Sequence, residues 1–374
     1  MTAVYTHNRT SGLQRLFTRL TPFTGAISPL QSRLSTDVFV EQIATLTTGY
    51  TPDPAKEQHE KSYYDYPVLK EPFWGWEIVW YFFLGGLAAG CYILASIASL
   101  TGSKEDRAVV RAGYYLSLLA LLPCPPLLIK DLGRPERFLN MLRVFKPRSP
   151  MSQGVWGLLG FSFFSGITAV SQAASDGLLG RWWGANALAA LPRKALAVPG
   201  TLFGMFLGSY TGLLLIATSV PLWSRSKLLG AIFISSAVST SAALLSLTLR
   251  LTGAPLKTLH KLERMEWAAM LLEIVGLLAF LRQTGRPARA LVGARPKEHG
   301  ITFWTYMFGG GLLLPWLLQT LRLVSKQPER RLSTTGILIS LLALVGGYFL
   351  RHTFIHAGKT SSQDARTTLW NARR

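Results

Sequence analysis

The sequence predicts an all-α polytopic membrane protein with eight transmembrane helices. Of its 374 residues, 49% are hydrophobic and 16% are charged, compared with roughly 25% charged residues in soluble domains. The apolar residues gather in blocks of about 20, the length that an α-helix needs to cross the hydrocarbon core of a bilayer. The eight blocks cover residues 76–100, 108–129, 154–172, 198–221, 228–249, 265–281, 303–321 and 332–350.

The basic residues are distributed unequally between the two faces that these spans define. Eight spans place both termini on one face, which we call the N-side. The N-side tails and loops hold 25 of the 39 Lys and Arg residues, and the opposite loops hold 14. Because Lys and Arg accumulate in cytoplasmic loops, this predicts a cytoplasmic N-side. The net charge of +20 is therefore explained by basic residues in the loops and tails of a membrane protein. No nucleic-acid-binding motif is visible.

Three regions are predicted along the chain. Residues 1–62 form a polar tail rich in Thr, Ser and Arg, residues 63–351 the membrane domain, and residues 352–374 a C-terminal tail. A tail of this composition is often disordered alone and orders against a partner. The dense aromatic residues of Tyr63–Trp76 predict either an interfacial belt that anchors span 1 or contacts with a partner or ligand.

Spans 1 and 2 bring ionisable residues to the N-side. Glu77 opens span 1, and span 2 ends in the block Lys130–Pro135, which contains Asp131 and Arg134. Ionisable groups at membrane depth are costly and are usually retained for a function. Two interpretations remain open: an ion-pair cluster that fixes the following loop, or a polar pocket that binds a small redox ligand and handles its protons.

The loop between spans 2 and 3 is strongly basic. It carries six cations from Lys130 to Arg148, which makes it a candidate docking surface for an acidic partner. Either Ser149 or Ser152 is predicted to cap the N-terminus of span 3.

Spans 4 and 5 contain hydroxyl side chains. The serines and threonines at residues 235–241 are typical of transmembrane helices that approach closely and bond across their interface. Tyr210 in span 4 needs a polar partner at its depth, and it is a candidate donor to the carbonyl of a quinone.

Span 6 contains three glutamates. Glu266 and Glu273 are seven residues apart and share a face with Glu263. Glu273 lies near the midplane, where a charged carboxylate costs at least a few kcal/mol, so we expect it to be protonated or paired within the bundle. Two interpretations remain open: buried groups that join helices or serve as interface charges, and a proton relay from the opposite face through Glu263, Glu266 and Glu273.

Histidine and cysteine positions argue against a bound redox centre. None of the six histidines lies in the middle of a span, where a haem would need axial ligands. His352 and His356 form a conceivable metal pair, with a solvated helix end as the alternative. Cys91 and Cys124 are too few for an iron–sulfur cluster and are expected to be buried thiols. We therefore predict no haem, cluster or metal in this chain.

Four blocks, in this order, resemble the NrfD/PsrC family of quinone-interacting membrane subunits of the polysulfide reductase type. The blocks are Tyr63–Trp76 with the glycine-rich residues 85–90, then Lys130–Pro135, then Ser149–Gly154, and finally Tyr210–Gly212 leading to Pro221–Trp223.

The resemblance implies two four-helix bundles side by side and a quinone or quinol bound as substrate near one membrane face. It implies no redox cofactor in this chain. The implied partners are a ferredoxin-like subunit with several iron–sulfur clusters and a molybdopterin catalytic subunit, at the bacterial inner membrane. Many family members dock these partners on the periplasmic face, whereas the charge distribution favours a cytoplasmic N-side, so the docking side stays open.

The resemblance also points to site residues. The family pocket draws on the start of helix 1, the end of helix 2 and helix 4, which here correspond to Trp76, Glu77, Lys130, Asp131 and Tyr210. A histidine that some members place near the start of helix 1 is absent, and Trp74, Trp76 or Glu77 is expected to take its role.

The predicted function is that of the membrane subunit of a multi-subunit oxidoreductase. It would exchange electrons and protons between a docked iron–sulfur subunit and the quinone pool. Asp131, Glu77 and Tyr210 would handle protons, and Trp76, Lys130 and Arg134 would bind the ligand. An energy-coupling subunit that relays protons through Glu273 is the alternative. A secondary transporter or bare anchor ranks last, because the two halves show none of the repeats typical of transporters.

Overall fold

The computed structural model describes residues 36–51, 66–180, 182–294, 298–325 and 333–373. Within these ranges the regular structure is helical and contains no strand, which confirms the predicted all-α class. Much of the predicted N-terminal tail, together with residues 63–65 of the aromatic segment, lies outside the described residues.

Ten helices carry the architecture and are numbered in chain order. They are α1 Thr36–Thr48, α2 Trp76–Thr101, α3 Arg107–Leu121, α4 Cys124–Asp131, α5 Pro150–Ser175, α6 Arg193–Ile216, α7 Leu229–Thr252, α8 Leu256–Thr284, α9 Leu314–Ser325 and α10 Thr334–Gln363. A π-helical segment, Thr302–Leu313, runs directly into α9.

Shorter helical pieces connect them. Single 3₁₀ turns cover Lys104–Asp106, Pro135–Arg137 and Arg286–Ala288. Short helices cover Phe138–Arg143, Trp183–Ala189, Pro221–Ser224, Arg289–Val292 and Ala365–Ala372.

Seven helical stretches in the described ranges are long and apolar enough to cross a membrane. They correspond to α2, the stretch Lys104–Asp131 that contains α3 and α4, then α5, α6, α7, the π segment with α9, and α10. The eighth predicted span lies within α8, which at 29 residues and about 1.5 Å per residue is long enough to cross but is not among the seven. Because α8 carries three glutamates, the count of eight spans stays a prediction.

Span 2 is not one continuous helix. Residues 122 and 123 form a turn between α3 and α4, at the first of three closely spaced prolines, Pro123, Pro125 and Pro126. Proline lacks an amide donor and clashes with the preceding turn, so a helix breaks or bends there. As a result, Lys130 and Asp131 sit on a separate short helix at the N-side.

The last helix is longer than its apolar block. α10 continues to Gln363, beyond the end of the predicted span at residue 350. Arg351, which the sequence placed after the span, is therefore in mid-helix and buried.

The long helices pack in two groups. Helices α2 to α6 form one group, and α7, α8, the π segment, α9 and α10 form the second. The groups meet where α2 and α6 pack against α7, and most closely where α2 crosses α7. At this crossing a side chain on Gly90 would occupy the space of Ser241 and the Ala237 carbonyl, and the Ser241 hydroxyl donates to the Leu87 carbonyl at 3.0 Å. The close approach matches the small-residue packing expected in membranes.

Part of the predicted polar tail is folded onto the membrane domain. α1 packs against α8 and the short helix Arg289–Val292. Glu41 of α1 forms an ion pair with Arg289, which is buried. The N-terminal region is therefore anchored to the second helix group beside the end of α8.

Candidate functional site

Four of the predicted site residues meet at the N-side ends of α2 and α4. The Lys130 Nζ lies 3.3 Å from the Glu77 Oε1 and 4.3 Å from the centroid of the Trp76 ring. Asp131 lies near the Gly75 backbone amide and near Glu77. The turn before α2 and the end of α4 thus place two acids, one cation and one aromatic face in a single cluster, which we call the N-side cluster.

The N-side cluster is half-open to its surroundings. The side chain of Glu77 retains 15% of its exposure and that of Lys130 retains 60%, while Asp131 is partly buried. An ion pair with such an exposed partner contributes roughly 1 kcal/mol or less to stability. The ion pair between Glu77 and Lys130 therefore adds little to the stability of the fold. The cluster remains accessible to a ligand or partner.

A buried polar layer lies behind the N-side cluster. Tyr81 follows Glu77 by one turn of α2, and Cys124 precedes Asp131 by two turns of α4, so each pair shares a helix face. Tyr81 and Cys124 are both buried, and a side chain added at Gly85 would contact both of them. This layer therefore lies between the first two spans.

Tyr210 already has a polar partner. Its hydroxyl donates to the Pro150 carbonyl at 2.7 Å, and its ring fills the space where a side chain on Gly154 would lie. A phenol has one donor hydrogen, so donation to a ligand would require the Pro150 bond to break. The geometry gives Tyr210 a packing role between α5 and α6 and leaves its hydroxyl oxygen as an acceptor.

Arg134 does not join the N-side cluster. Its side chain is exposed in the turn after α4, as are the side chains of Arg137, Arg143, Lys146 and Arg148 further along the same loop. The loop ends at Ser149, whose hydroxyl accepts from the Ser152 amide at 3.5 Å and caps α5. The predicted serine cap is present, and the predicted basic surface is solvent-facing.

Two tryptophans of the aromatic segment before α2 have different surroundings. Trp74 stacks on Trp223 with the ring centroids 5.3 Å apart, and the Trp223 indole donates to the Phe354 carbonyl of α10 at 2.9 Å. Trp76 stays more than half exposed and carries Lys130 on its face. Trp74 is therefore partly buried and packs against the hydrophobic core.

Glu273 is buried in the second helix group and has polar partners there. The Ser239 hydroxyl donates to its Oε2 at 3.1 Å, and Ser236 lies near the carboxyl group. The Ser236 hydroxyl oxygen accepts from the Arg351 Nη1 at 2.6 Å. Ser236 thus lies between an acid on α8 and a guanidinium on α10.

Glu263 and Glu266 lie in a second buried cluster at the far end of α8. Glu263 forms ion pairs with Arg250 and with Arg322, the latter at 3.3 Å, and Glu266 interacts electrostatically with the same groups. Both glutamates are almost completely buried, at 3% and 1% exposure. These two acids are interior charges where α7, α8 and α9 meet, not surface charges.

The chain is similar to known proteins over the region that contains these site residues. A family model described as "Polysulphide reductase, NrfD" matches residues 67–361. The chain belongs to this family. The match spans all of the long membrane helices and confirms the resemblance seen in the four sequence blocks.

Curated relatives agree with the NrfD assignment. The chain is 26% identical to a "Protein NrfD homolog" of Haemophilus influenzae, over 79% of this chain and 98% of the relative. It is 26% identical to the C subunit of the polysulfide reductase of Wolinella succinogenes, over 77% of this chain and 94% of the relative. It is 28% identical to "Protein NrfD" of Escherichia coli, over 76% and 95% respectively.

In this NrfD-family protein the C-terminal histidines gather at the N-side. The rings of His352 and His356 stack with centroids 4.1 Å apart, and the His299 ring lies 6.1 Å from that of His356. Burial, together with His356, lowers the pKa of His299 below its ordinary value. Among the described residues no group of three His, Cys, Asp or Glu side chains is arranged to hold a metal ion.

Sequence reasoning missed two residues of interest in this NrfD-family protein. Tyr81 carried a usable signal, because it lies four residues after Glu77 on the same face of α2. The sequence places Arg351 outside the span, because the apolar block ends at residue 350, whereas the helix continues past it. Its pairing with Ser236 joins positions 115 residues apart, which no local pattern indicates.

Proposed function

We propose that this NrfD-family protein is the membrane subunit of a multi-subunit oxidoreductase and exchanges electrons and protons between a docked iron–sulfur subunit and the quinone pool. The observation that carries the proposal is the N-side cluster of Trp76, Glu77, Lys130 and Asp131. It combines an aromatic face, a cation and two carboxyl groups at one end of the first helix group, with the buried Tyr81 layer behind it.

The N-side cluster has the groups that quinone chemistry needs. Reduction of a quinone to a quinol takes up two electrons and two protons, and oxidation releases the same number. In this proposal the electrons pass directly between the partner's nearest cluster and the bound quinone. Asp131 and Glu77 transfer protons to and from its two oxygens, since carboxyl groups in hydrogen-bond reach act as general acids and bases. The Lys130 ammonium stabilises negative charge on those oxygens, and Trp76 contacts the ring.

The basic loop between α4 and α5 is the proposed docking surface for the iron–sulfur subunit. Its exposed cations lie next to the N-side cluster, so an acidic partner held there brings its nearest cluster close to the quinone. Charge complementarity of this kind chiefly raises the association rate and fixes orientation. The molybdopterin subunit is expected to bind beyond the iron–sulfur subunit, in a complex at the bacterial inner membrane with the N-side in the cytoplasm.

Replacement of Asp131 with Asn tests the proposal. The variant keeps the side-chain shape but cannot carry a proton, so the quinone-dependent activity of the assembled complex should fall by about 100-fold, within the usual range for a lost general acid or base. Activity with a soluble dye that accepts electrons before the membrane step should stay at the level of the unmodified complex.

Asp37→Asn is the matched control for Asp131→Asn. Asp37 lies in the first turn of α1 and is exposed, so the same substitution there should leave both activities unchanged. Unchanged quinone activity in Asp131→Asn would remove Asp131 from the mechanism.

A second candidate function, proton translocation, is favoured by one observation. Ser236 lies between Glu273 and Arg351 in the second helix group and accepts a hydrogen bond from Arg351. Glu266 lies seven residues from Glu273 on α8, about 10 Å along the helix axis. Polar groups are therefore present at the Glu263 cluster, at Glu273 and at Arg351, and the sequence alone did not indicate Arg351. In this function the glutamates relay protons while the quinone reacts at the N-side cluster.

Proton uptake by vesicles that contain the complex tests this second function. Glu273→Gln should abolish proton movement while quinone-dependent electron transfer continues. Glu105→Gln, at an exposed position on the opposite face, is the control. Undiminished proton movement in Glu273→Gln vesicles would rule out the relay.

A further inference from the structure

A cavity of about 1540 Å³ opens at the face opposite the N-side. It lies between the ends of α2, α5 and α7 and the beginnings of α3 and α6. The residues of the N-side cluster do not contribute to it. The cavity therefore lies where the first helix group meets α7, at the membrane surface opposite the candidate site.

The lining of this cavity is strongly basic. Five cations face it, namely Lys104, Arg107, Arg111, Arg193 and Lys194. The carboxylate in the lining is Asp176, which Arg111 binds at 2.9 Å and the Tyr115 hydroxyl at 2.6 Å. One cation is thus neutralised, and the remaining four leave the cavity with a large positive charge.

Acidic residues of the same turn are directed away from the cavity. Glu105 pairs with Lys257 at 3.7 Å, and Asp106 pairs with Lys261 at 2.7 Å, both on α8. The neighbouring Lys104 and Arg107 face the cavity instead. The turn between α2 and α3 therefore separates its charges, with acids toward α8 and cations toward the cavity.

Aromatic side chains place the cavity at the level of lipid headgroups. Trp182 and Trp183 begin a short helix before α6 and are 52% and 82% exposed. The Ala189 carbonyl at the end of that helix accepts from the Arg193 Nη1 at 3.4 Å, so the helix adjoins the cavity. Exposed tryptophans concentrate at the membrane–water interface. Apolar residues such as Leu116 and Leu249 line the remaining wall.

We infer that this cavity binds the phosphodiester headgroup of an anionic phospholipid. The cations surround the phosphate as hydrogen-bond donors, and guanidinium groups bind its oxygens in a bidentate manner. The apolar wall contacts the upper part of the acyl chains. A cavity of this size exceeds the needs of an inorganic anion, and its interfacial depth favours a lipid over a solute.

Binding of phosphatidylglycerol to the full-length protein tests the inference. The delipidated protein is examined by native mass spectrometry and by thermal unfolding with phosphatidylglycerol, with phosphatidylcholine and with inorganic phosphate. Phosphatidylglycerol should be retained and should raise Tm more than either of the others. The double variant Arg107→Gln/Lys194→Gln should bind it roughly 30-fold more weakly, from the contribution that each basic side chain makes near an anionic lipid.

Arg264→Gln is the control for these variants. It removes an exposed cation from the same membrane face at a position outside the cavity, and it should bind phosphatidylglycerol as the unmodified protein does. The single variant Lys104→Gln, at another exposed position, should show about fivefold weaker binding if the double variant does not fold.

Two results would overturn the inference. One is equal phosphatidylglycerol binding by the cavity variants and the control. The other is equal stabilisation by inorganic phosphate and phosphatidylglycerol, which would assign the cavity to a free anion.

Discussion

Arg351 lies in the interior of the second helix group with 1% of its surface exposed. Its guanidinium donates to Ser236, to the Gly347 carbonyl at 2.7 Å and toward the Phe233 carbonyl at 3.4 Å. The opposing charge is that of Glu273, which lies near Arg351. A buried charge persists only when it is paired and hydrogen-bonded, and this arrangement provides both conditions.

Removal of one member of this pair should destabilise the protein. Arg351→Met leaves Glu273 with no opposing charge in a water-excluded site, and breaking a buried pair in this way costs about 3 kcal/mol or more. The expected result is a clear drop in Tm of the detergent-solubilised protein. Arg282→Met, at an exposed position at the end of α8, should change Tm little.

A double-variant cycle separates pairing from packing. Arg351→Met/Glu273→Gln removes both charges, so it should be more stable than the sum of the two single effects predicts. Additive losses in the double variant would show that Arg351 and Glu273 do not interact energetically.

At the scale of helices, Tyr210 fixes the distance between α5 and α6. Its ring covers the backbone at Gly154, and its hydroxyl holds the Pro150 carbonyl in the first turn of α5. The ring leaves no space for a methyl group at position 154. The start of α5, which follows the basic loop, is therefore positioned by α6.

Gly154→Ala should separate these two helices. The added methyl group overlaps the Tyr210 ring, and overpacking of this kind typically costs about 1–3 kcal/mol. Tm should fall, and quinone activity should fall with it if the loop before α5 is displaced. Gly166→Ala in the same helix is the control, because a side chain there meets open space. Similar Tm values for the two variants would contradict the packing role of Tyr210.

Some features of individual helices follow from sequence and others do not. Long apolar blocks predict helices because only hydrogen-bonded backbone is stable in hydrocarbon, and Ser149 is a recognisable cap. Apolar content alone does not show the break at Pro123, although three prolines in four positions signal it. The stacking of Trp74 on Trp223 and the proximity of Glu273 to Arg351 depend on packing between distant segments, for which no local signal exists.

For the whole molecule, the number of membrane crossings decides whether the two termini share a face. α8 is long enough to cross, and its acids are all buried against other helices. Because buried ionisable groups inside a bundle are compatible with a transmembrane helix, we expect α8 to cross and the termini to lie together.

Cysteine labelling tests this topology. Lys257→Cys lies near the start of α8 and Arg282→Cys near its end, both at exposed positions. A membrane-impermeant thiol reagent should label them from opposite sides of sealed vesicles. Cys91 and Cys124 are buried and free, so the parent protein should give a low background. Labelling of both variants from one side would reduce the crossings to seven.

The distance along the sequence between Glu273 and Arg351 has a consequence for biosynthesis. Helices enter the membrane in the order of translation, and α8 is complete well before Arg351 is made, since it ends at Thr284. An arginine near the centre of an isolated inserting helix is disfavoured by about 2.5–3.5 kcal/mol, so α10 inserts most readily next to a helix that already presents an acid. If α8 were released into the lipid before α10 was synthesised, the two helices would be separated. Helices α8 and α10 therefore have to stay close to the insertion machinery until the C-terminal helix has been synthesised.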